Sequence, residues 1–243
     1  MSRVVCISQP RYLPAPGYLH RFHLADVFVL LDTVQYTPRD WENRNRIKGP
    51  GGPQWLSVPV VRERRDQPIS TIRIDDGHGW AGKHREALRT NYGKSPWFAQ
   101  RFPFFDDVYS REWALLADLN EYVTGHLVSE LGFRCETVRA SALGASGTGQ
   151  ALLIDIVRAV GGEVYLSGPL GRNYIDDATF REAGIELVYH DYEPIAYDQR
   201  FGPFQPGLSA VDILFNCSPA DSHAIVRAGG AATEKQLGRD GDG

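Results

Sequence analysis

Val4-Val5-Cys6-Ile7-Ser8-Gln9-Pro10 and Val27-Phe28-Val29-Leu30-Leu31-Asp32 are the two stretches that decide the fold. Each is a short apolar run closed by polar or turn-forming residues, the pattern of a strand buried on both faces. Between them Tyr18, Leu19, Phe22, Leu24 and Ala25 recur at helical spacing behind Gly17. A strand, loop, helix and second strand in that order predict a parallel sheet.

The same alternation returns late in the chain. Gln150 to Val160 reads as a helix, Val164-Tyr165-Leu166 as a strand, the segment through Phe180 as a helix and Leu187-Val188-Tyr189 as a strand. In the middle, Gln54 to Val61 and Ile69 to Ile74 predict an antiparallel β-hairpin, and Trp80 to Tyr92 and Trp113 to Leu131 predict helices. The expected fold is therefore α/β: a Rossmann-like parallel sheet with a β-hairpin and a mainly helical middle insertion. One domain is expected over residues 1–227. The remainder, 228–243, reads AGGAATEKQLGRDGDG, too polar and glycine-rich to pack, and is expected to be a disordered tail.

With 42% hydrophobic residues, the 243-residue chain has enough apolar surface for a sizeable core. Its net charge of −4 excludes a general coat for nucleic acid. Cys6, Cys135 and Cys217 are odd in number and widely spaced, so they read as reduced thiols rather than a disulfide or metal framework. Pro10 and Pro14 interrupt any signal-peptide core, and no apolar run approaches the roughly 18 residues of a membrane span. The expected location is the cytoplasm, with no metal site.

Candidate site residues follow from position, because ligands of open parallel sheets bind outside the carboxyl ends of the strands. Gln9 and Tyr12 follow the first strand; Asp32 and Gln35 follow the second. Arg39, Trp41, Asn43, Arg44 and Asn45 lie in a run dense in guanidinium and amide donors. From Tyr36 to Arg65, seven positive residues face three negative ones, which predicts a local anion site with Trp41 available for stacking. A solvated charged loop is the competing reading. Ser167, Gly168 and Tyr174 form a polar, glycine-bearing loop after a later strand. Lys83-His84 offers a base with an electrostatic aid, although an isolated helical histidine also reads as structural. Gln199 and Asp212 complete the candidates, Asp212 also reading as the partner of an arginine.

Taken together, Q-P-x-Y-x-P from Gln9, the stretch Ala25 to Tyr36, W-x-N-R-N-x-I at Trp41 to Ile47, Trp55 to Val60, Tyr165 to Gly168 and Ser209 to Asn216 resemble the WbqC-like family. That resemblance implies a place in O-antigen and other surface-polysaccharide or specialised-metabolite gene clusters. The opening also resembles the nucleotidyltransferase (HUP-like) fold, with Gly17 matching its H-x-G-H motif while Ala15 and Tyr18 replace the two histidines.

The resulting expectation is a group transferase, acyl or aminoacyl, on a small polar metabolite or amino-sugar. His84, Lys83, Gln9 and Asp32 stand as its catalytic candidates and the remaining loop residues as substrate contacts. Its donor is expected to be a nucleotide-sugar or an activated acyl compound, with tRNA the less favoured partner. Competing expectations are a nucleotide-binding enzyme with a degenerate motif and a non-catalytic scaffold of glycan assembly. The sequence names no cofactor.

Overall fold

The computed structural model describes residues 2–61 and 63–239. Its centre is five parallel strands. The chain enters through β1 (Val4–Ser8), crosses over α1 (Pro16–Leu24) and returns as β2 (Val27–Leu30) beside β1, with Val27 opposite Val5. Pro16 suits the first turn of α1, where its missing N–H is not needed. Then comes a long excursion: β3 (Arg44–Gly49), β4 (Gly52–Ser57), β5 (Val60–Val61), β6 (Arg73–Ile74), and the helices α2 (Trp80–Tyr92), α3 (Phe98–Val108) and α4 (Leu116–Glu130). The chain rejoins the sheet as β7 (Glu136–Arg139), on the far side of β2.

The second half follows as α5 (Gly149–Ala159), β8 (Val164–Ser167), α6 (Asp177–Glu182) and β9 (Glu186–Tyr189), then α7 (Val211–Asn216), α8 (Pro219–Ala228) and α9 (Ala231–Gln236). The sheet order is β7-β2-β1-β8-β9. Numbered by occurrence within the sheet this is 3-2-1-4-5, the Rossmann-like order. Winding reverses between β1 and β8, which are hydrogen-bonded neighbours with Val5 opposite Tyr165.

The strands serve two cores because successive side chains point to opposite faces. Val4, Cys6, Phe28 and Leu30 face α1, α4 and the excursion. Val5, Ile7, Val27 and Val29 face α5 and α6. Each fully buried Leu, Val or Phe contributes roughly 1.5–3 kcal/mol. The uninterrupted apolar runs in β1 and β2 reflect this two-sided burial.

Two expectations change. The pairing predicted between residues 54–61 and 69–74 survives only as the two-residue ladder of β5 with β6. Most of the first segment is β4, which pairs instead with β3 from Arg44↔Ser57 to Gly49↔Gly52. The end of the donor-rich run, from Arg44, is thus a hairpin strand, while Arg39, Trp41 and Asn43 precede it. The turn at 49–52 closes it, with Gly52 at φ 104°, where a side chain would be strained.

Residues 228–239 are not the disordered tail that their composition predicts. They carry α9, whose Thr233 and Glu234 are buried. Glycine permits close approach here: a Cβ on Gly230 would lie 2.0 Å from the His20 ring, and one on Gly229 2.6 Å from the Tyr192 ring. Residues 240–243 of the expected tail lie outside the described residues.

Candidate functional site

A crevice of about 600 Å³ opens where β1 and β8 end, at the reversal of winding. Ser8 at the end of β1, Gln9 just beyond it and Gly168 just beyond β8 line it. Trp41 and Tyr174 stand on its walls. Gly17, in the first turn of α1, brings the positive end of that helix to the rim.

Asp40, whose charge acts on Arg11, lines the crevice, and the positive charge there comes from Arg11 and Arg21. Their guanidiniums lie over one ring, 5.2 and 4.8 Å from the centre of Tyr18. The Tyr18 hydroxyl is tied to the Gln9 carbonyl at 3.0 Å, which fixes the ring. Arg21 is buried, yet its Nε bonds to nothing and its Nη1 finds only Cys6 Sγ at 4.0 Å. Burial, then repulsion from Arg21, pushes the Arg11 pKa down. Two neighbouring cations, neither in an ion pair with any described residue, make a site that an anion would relieve. Gly168 leaves room for them, since a Cβ there would stand 3.2 Å from Arg21 Nη1.

His190, one residue beyond β9, also lines the crevice and extends the ladder by donating its N–H to the Ser167 carbonyl at 2.8 Å. Behind it His20 Nδ1 lies 2.9 Å from His190 Nε2, and His20 Nε2 lies 3.0 Å from Glu234 Oε1. All three side chains are buried. Burial, then Arg21 and His20, pushes the His190 pKa down to about 2. Burial tends to raise the Glu234 carboxyl, but hydrogen bonds from Arg227 and His20 outweigh it and hold the group below its ordinary value.

A smaller, apolar hollow of about 160 Å³ adjoins the crevice, sharing Gly17 and Tyr192 with it. Ile195, Phe204 and Leu208 line it.

The WbqC-like protein family matches residues 9–224, most of the chain and both sides of the crevice. The chain belongs to this family. One WbqC-like relative is the uncharacterized protein Rv1507c of Mycobacterium tuberculosis (strain ATCC 25618 / H37Rv), 35% identical over 215 residues, which cover 87% of this chain and 93% of the relative. No solved structure matches.

The WbqC-like residues singled out in the sequence fall into two groups. Gln9, Trp41, Gly168 and Tyr174 line the crevice, and Ser167 lies buried beneath it, its Oγ donating to the Gly168 carbonyl at 3.2 Å. The others are elsewhere. Gln35 is exposed and donates to the Arg65 carbonyl at 3.1 Å. Arg39 occupies an exposed left-handed turn at φ 62°. Arg44 lies over the Trp55 ring, 4.2 Å from its centre. Asn43 donates to the Val58 carbonyl at 2.8 Å, and buried Asn45 donates to the Tyr12 and Leu13 carbonyls, holding the loop that carries Arg11.

His84, expected as the base, is buried on α2, where Tyr12 and Tyr109 form a chain with it through hydroxyl contacts of 2.8 and 2.7 Å. It does not line the crevice, and burial pushes its pKa down to about 4. Lys83 beside it is exposed. Asp32 accepts from the backbone and hydroxyl of Ser141 and anchors the loop after β7. Gln199 accepts from Lys48 Nζ at 3.0 Å, and Asp212 from the Tyr92 and Tyr197 hydroxyls. These groups pin loops rather than face solvent.

Arg21, His190 and Glu234 are not candidates from sequence, and Arg11 is one only as a polar residue of the loop after the first strand. Arg21 and His20 sit inside a helical pattern that reads as core. Glu234 sits in the glycine-rich end.

Among the described residues no group of three His, Cys, Asp or Glu side chains is placed to hold a metal ion, and no helix is long and apolar enough to cross a membrane.

Proposed function

We propose that this chain is a cytoplasmic group transferase that holds an anionic small metabolite between Arg11 and Arg21 and transfers an acyl or aminoacyl group. The supporting observation is a pair of guanidiniums, neither in an ion pair with a described residue, in a crevice at the reversal of winding, where open α/β sheets place their ligands. The apolar hollow beyond Tyr192 suits the hydrocarbon part of an acyl donor. Reduced Cys6, Cys135 and Cys217 accord with the cytoplasm. The biosynthetic setting proposed is surface polysaccharide or specialised metabolite, on an amino-sugar or similar acceptor.

A second reading, a nucleotide or nucleotide-sugar enzyme, is favoured by one observation: the strand order places the crevice where Rossmann-like sheets cradle a pyrophosphate. Calorimetric titration with an acyl-coenzyme A thioester, a UDP-sugar, ATP and CTP separates the two. Binding of the thioester alone supports acyl transfer, and binding of the nucleotides alone supports the second reading. No heat with any of them would overturn both.

A further inference from the structure

Among the crevice-lining residues His190 carries the imidazole and Asp40 the carboxylate, and the orientation of the imidazole is fixed from behind. Arg227 Nη2 lies 3.1 Å from Glu234 Oε2, and the ionised carboxylate only accepts. Oε1 therefore takes the His20 Nε2–H. In a neutral imidazole the other nitrogen is then a lone pair, so His20 Nδ1 accepts the Nε2–H of His190. By the same rule His190 Nδ1 is unprotonated. No described side chain bonds it, and His190 lines the crevice.

We propose that His190 Nδ1 is the proton acceptor of the transfer reaction, with His20 and Glu234 as positioning residues that set its tautomer. The inference rests on the transferase reading above. The acceptor's O–H or N–H bond breaks, its proton forms the Nδ1–H bond, and its electron pair stays on the nucleophile. That pair forms a bond to the carbonyl carbon of an activated acyl donor. The bond to the leaving group breaks, and the leaving group takes the pair and then the proton from Nδ1. While charged, His190 is attracted through His20 to Glu234, and neither positioning residue changes its proton count.

The charged and titratable groups around this chain are few. Arg21 and the ring of Tyr192, 5.9 Å away, face His190. His23 and Arg227 face His20 and Glu234 from α1 and α8. Burial, then Arg21 and His20, keep His190 neutral, so its lone pair is present throughout the working pH range. An anion against Arg21 removes one of these unfavourable contributions and strengthens the base as the substrate binds.

Nitrogen-15 spectra of the full chain with labelled histidine test this without an assay of turnover. The expected result at neutral pH is that His190 and His20 are both neutral and both protonated at Nε2. Inorganic pyrophosphate, added as an anion probe, should then move the His190 Nδ1 signal by more than that of His223, which lies outside the crevice. A proton on His190 Nδ1 would overturn the proposal, and so would a His190 signal unmoved by pyrophosphate that calorimetry shows to bind. Absence of calorimetric binding with the expected tautomers would count against the transferase reading, and with it the catalytic role of His190, while leaving the tautomer assignment of the two imidazoles standing.

Discussion

His20 and Glu234 are 214 positions apart and meet at 3.0 Å in the interior. The contact joins α1 to α9 and places the last described helix directly behind the crevice. It exists because Gly230 has no side chain. In the variant Gly230→Ala the new methyl would lie 2.0 Å from the His20 ring, so α9 or the imidazole must move. Overpacking of this kind costs about 1–3 kcal/mol. Urea denaturation should show that loss, and the nitrogen-15 signal of His20 should show the broken hydrogen bond.

Arg21 is buried without a carboxylate, which favours ligand binding over stability. Arg21→Met keeps the length and removes the charge. The variant should unfold at higher urea, with a gain of about 1 kcal/mol, while its affinity for pyrophosphate falls at least about tenfold. Calorimetry and denaturation of the same preparation check both halves. A variant that is less stable and binds normally would show Arg21 to be structural.

Glu42 is 2% exposed, and no side-chain donor reaches either carboxylate oxygen. Burial pushes its pKa up to about 7, above the ordinary 4.5. The folded chain therefore holds the Glu42 proton more tightly than the unfolded chain. The stabilisation is full below about pH 4.5 and lost as pH rises through about 7, an effect on the order of 3 kcal/mol. Glu42→Gln should flatten this part of the stability profile and leave the variant more stable than the parent at pH 8, measured by urea midpoints from pH 5 to 8.

Asp212 accepts from two tyrosine hydroxyls inside the core. Burial pushes its pKa up against those hydrogen bonds. Asp212→Ala leaves Tyr92 and Tyr197 without this acceptor and should cost about 2–4 kcal/mol. Pyrophosphate affinity at a temperature where the variant is folded should change less than twofold. A large loss of binding at unchanged stability would return Asp212 to the site.

The parts of the fold legible in the sequence are those where burial is two-sided or strictly periodic. β1 and β2 are unbroken apolar runs, and α5 repeats its buried Leu153, Ile156 and Val157 at helical spacing. β3 is harder to read, because the polar Arg44, Asn45 and Arg46 pack against aromatic rings and backbone carbonyls, contacts that an alternation of apolar and polar residues does not announce. α3 carries Pro103 within it, a residue that ordinarily argues against a helix. The strand-end rule led to Gln9 and Gly168. It did not lead to Arg21 or His20, since a helical stripe does not reveal which charged member turns toward a sheet end. α9 was missed because composition measures average polarity. The contacts Gly229 makes with Tyr192 and Gly230 makes with His20 depend on the absence of atoms.

The position of Glu234 late in the chain has a temporal consequence. Synthesis runs from the amino end, so Arg11, Arg21, His20 and His190 leave the ribosome before Glu234 does. Under the proposed function, a nascent polypeptide that has already closed its sheet holds the two guanidiniums, yet its paired imidazoles lack the carboxylate that chooses their protonated nitrogens. Under the same proposal, capture of metabolite and competence for chemistry arrive in sequence, the second gated by emergence of the last described helix.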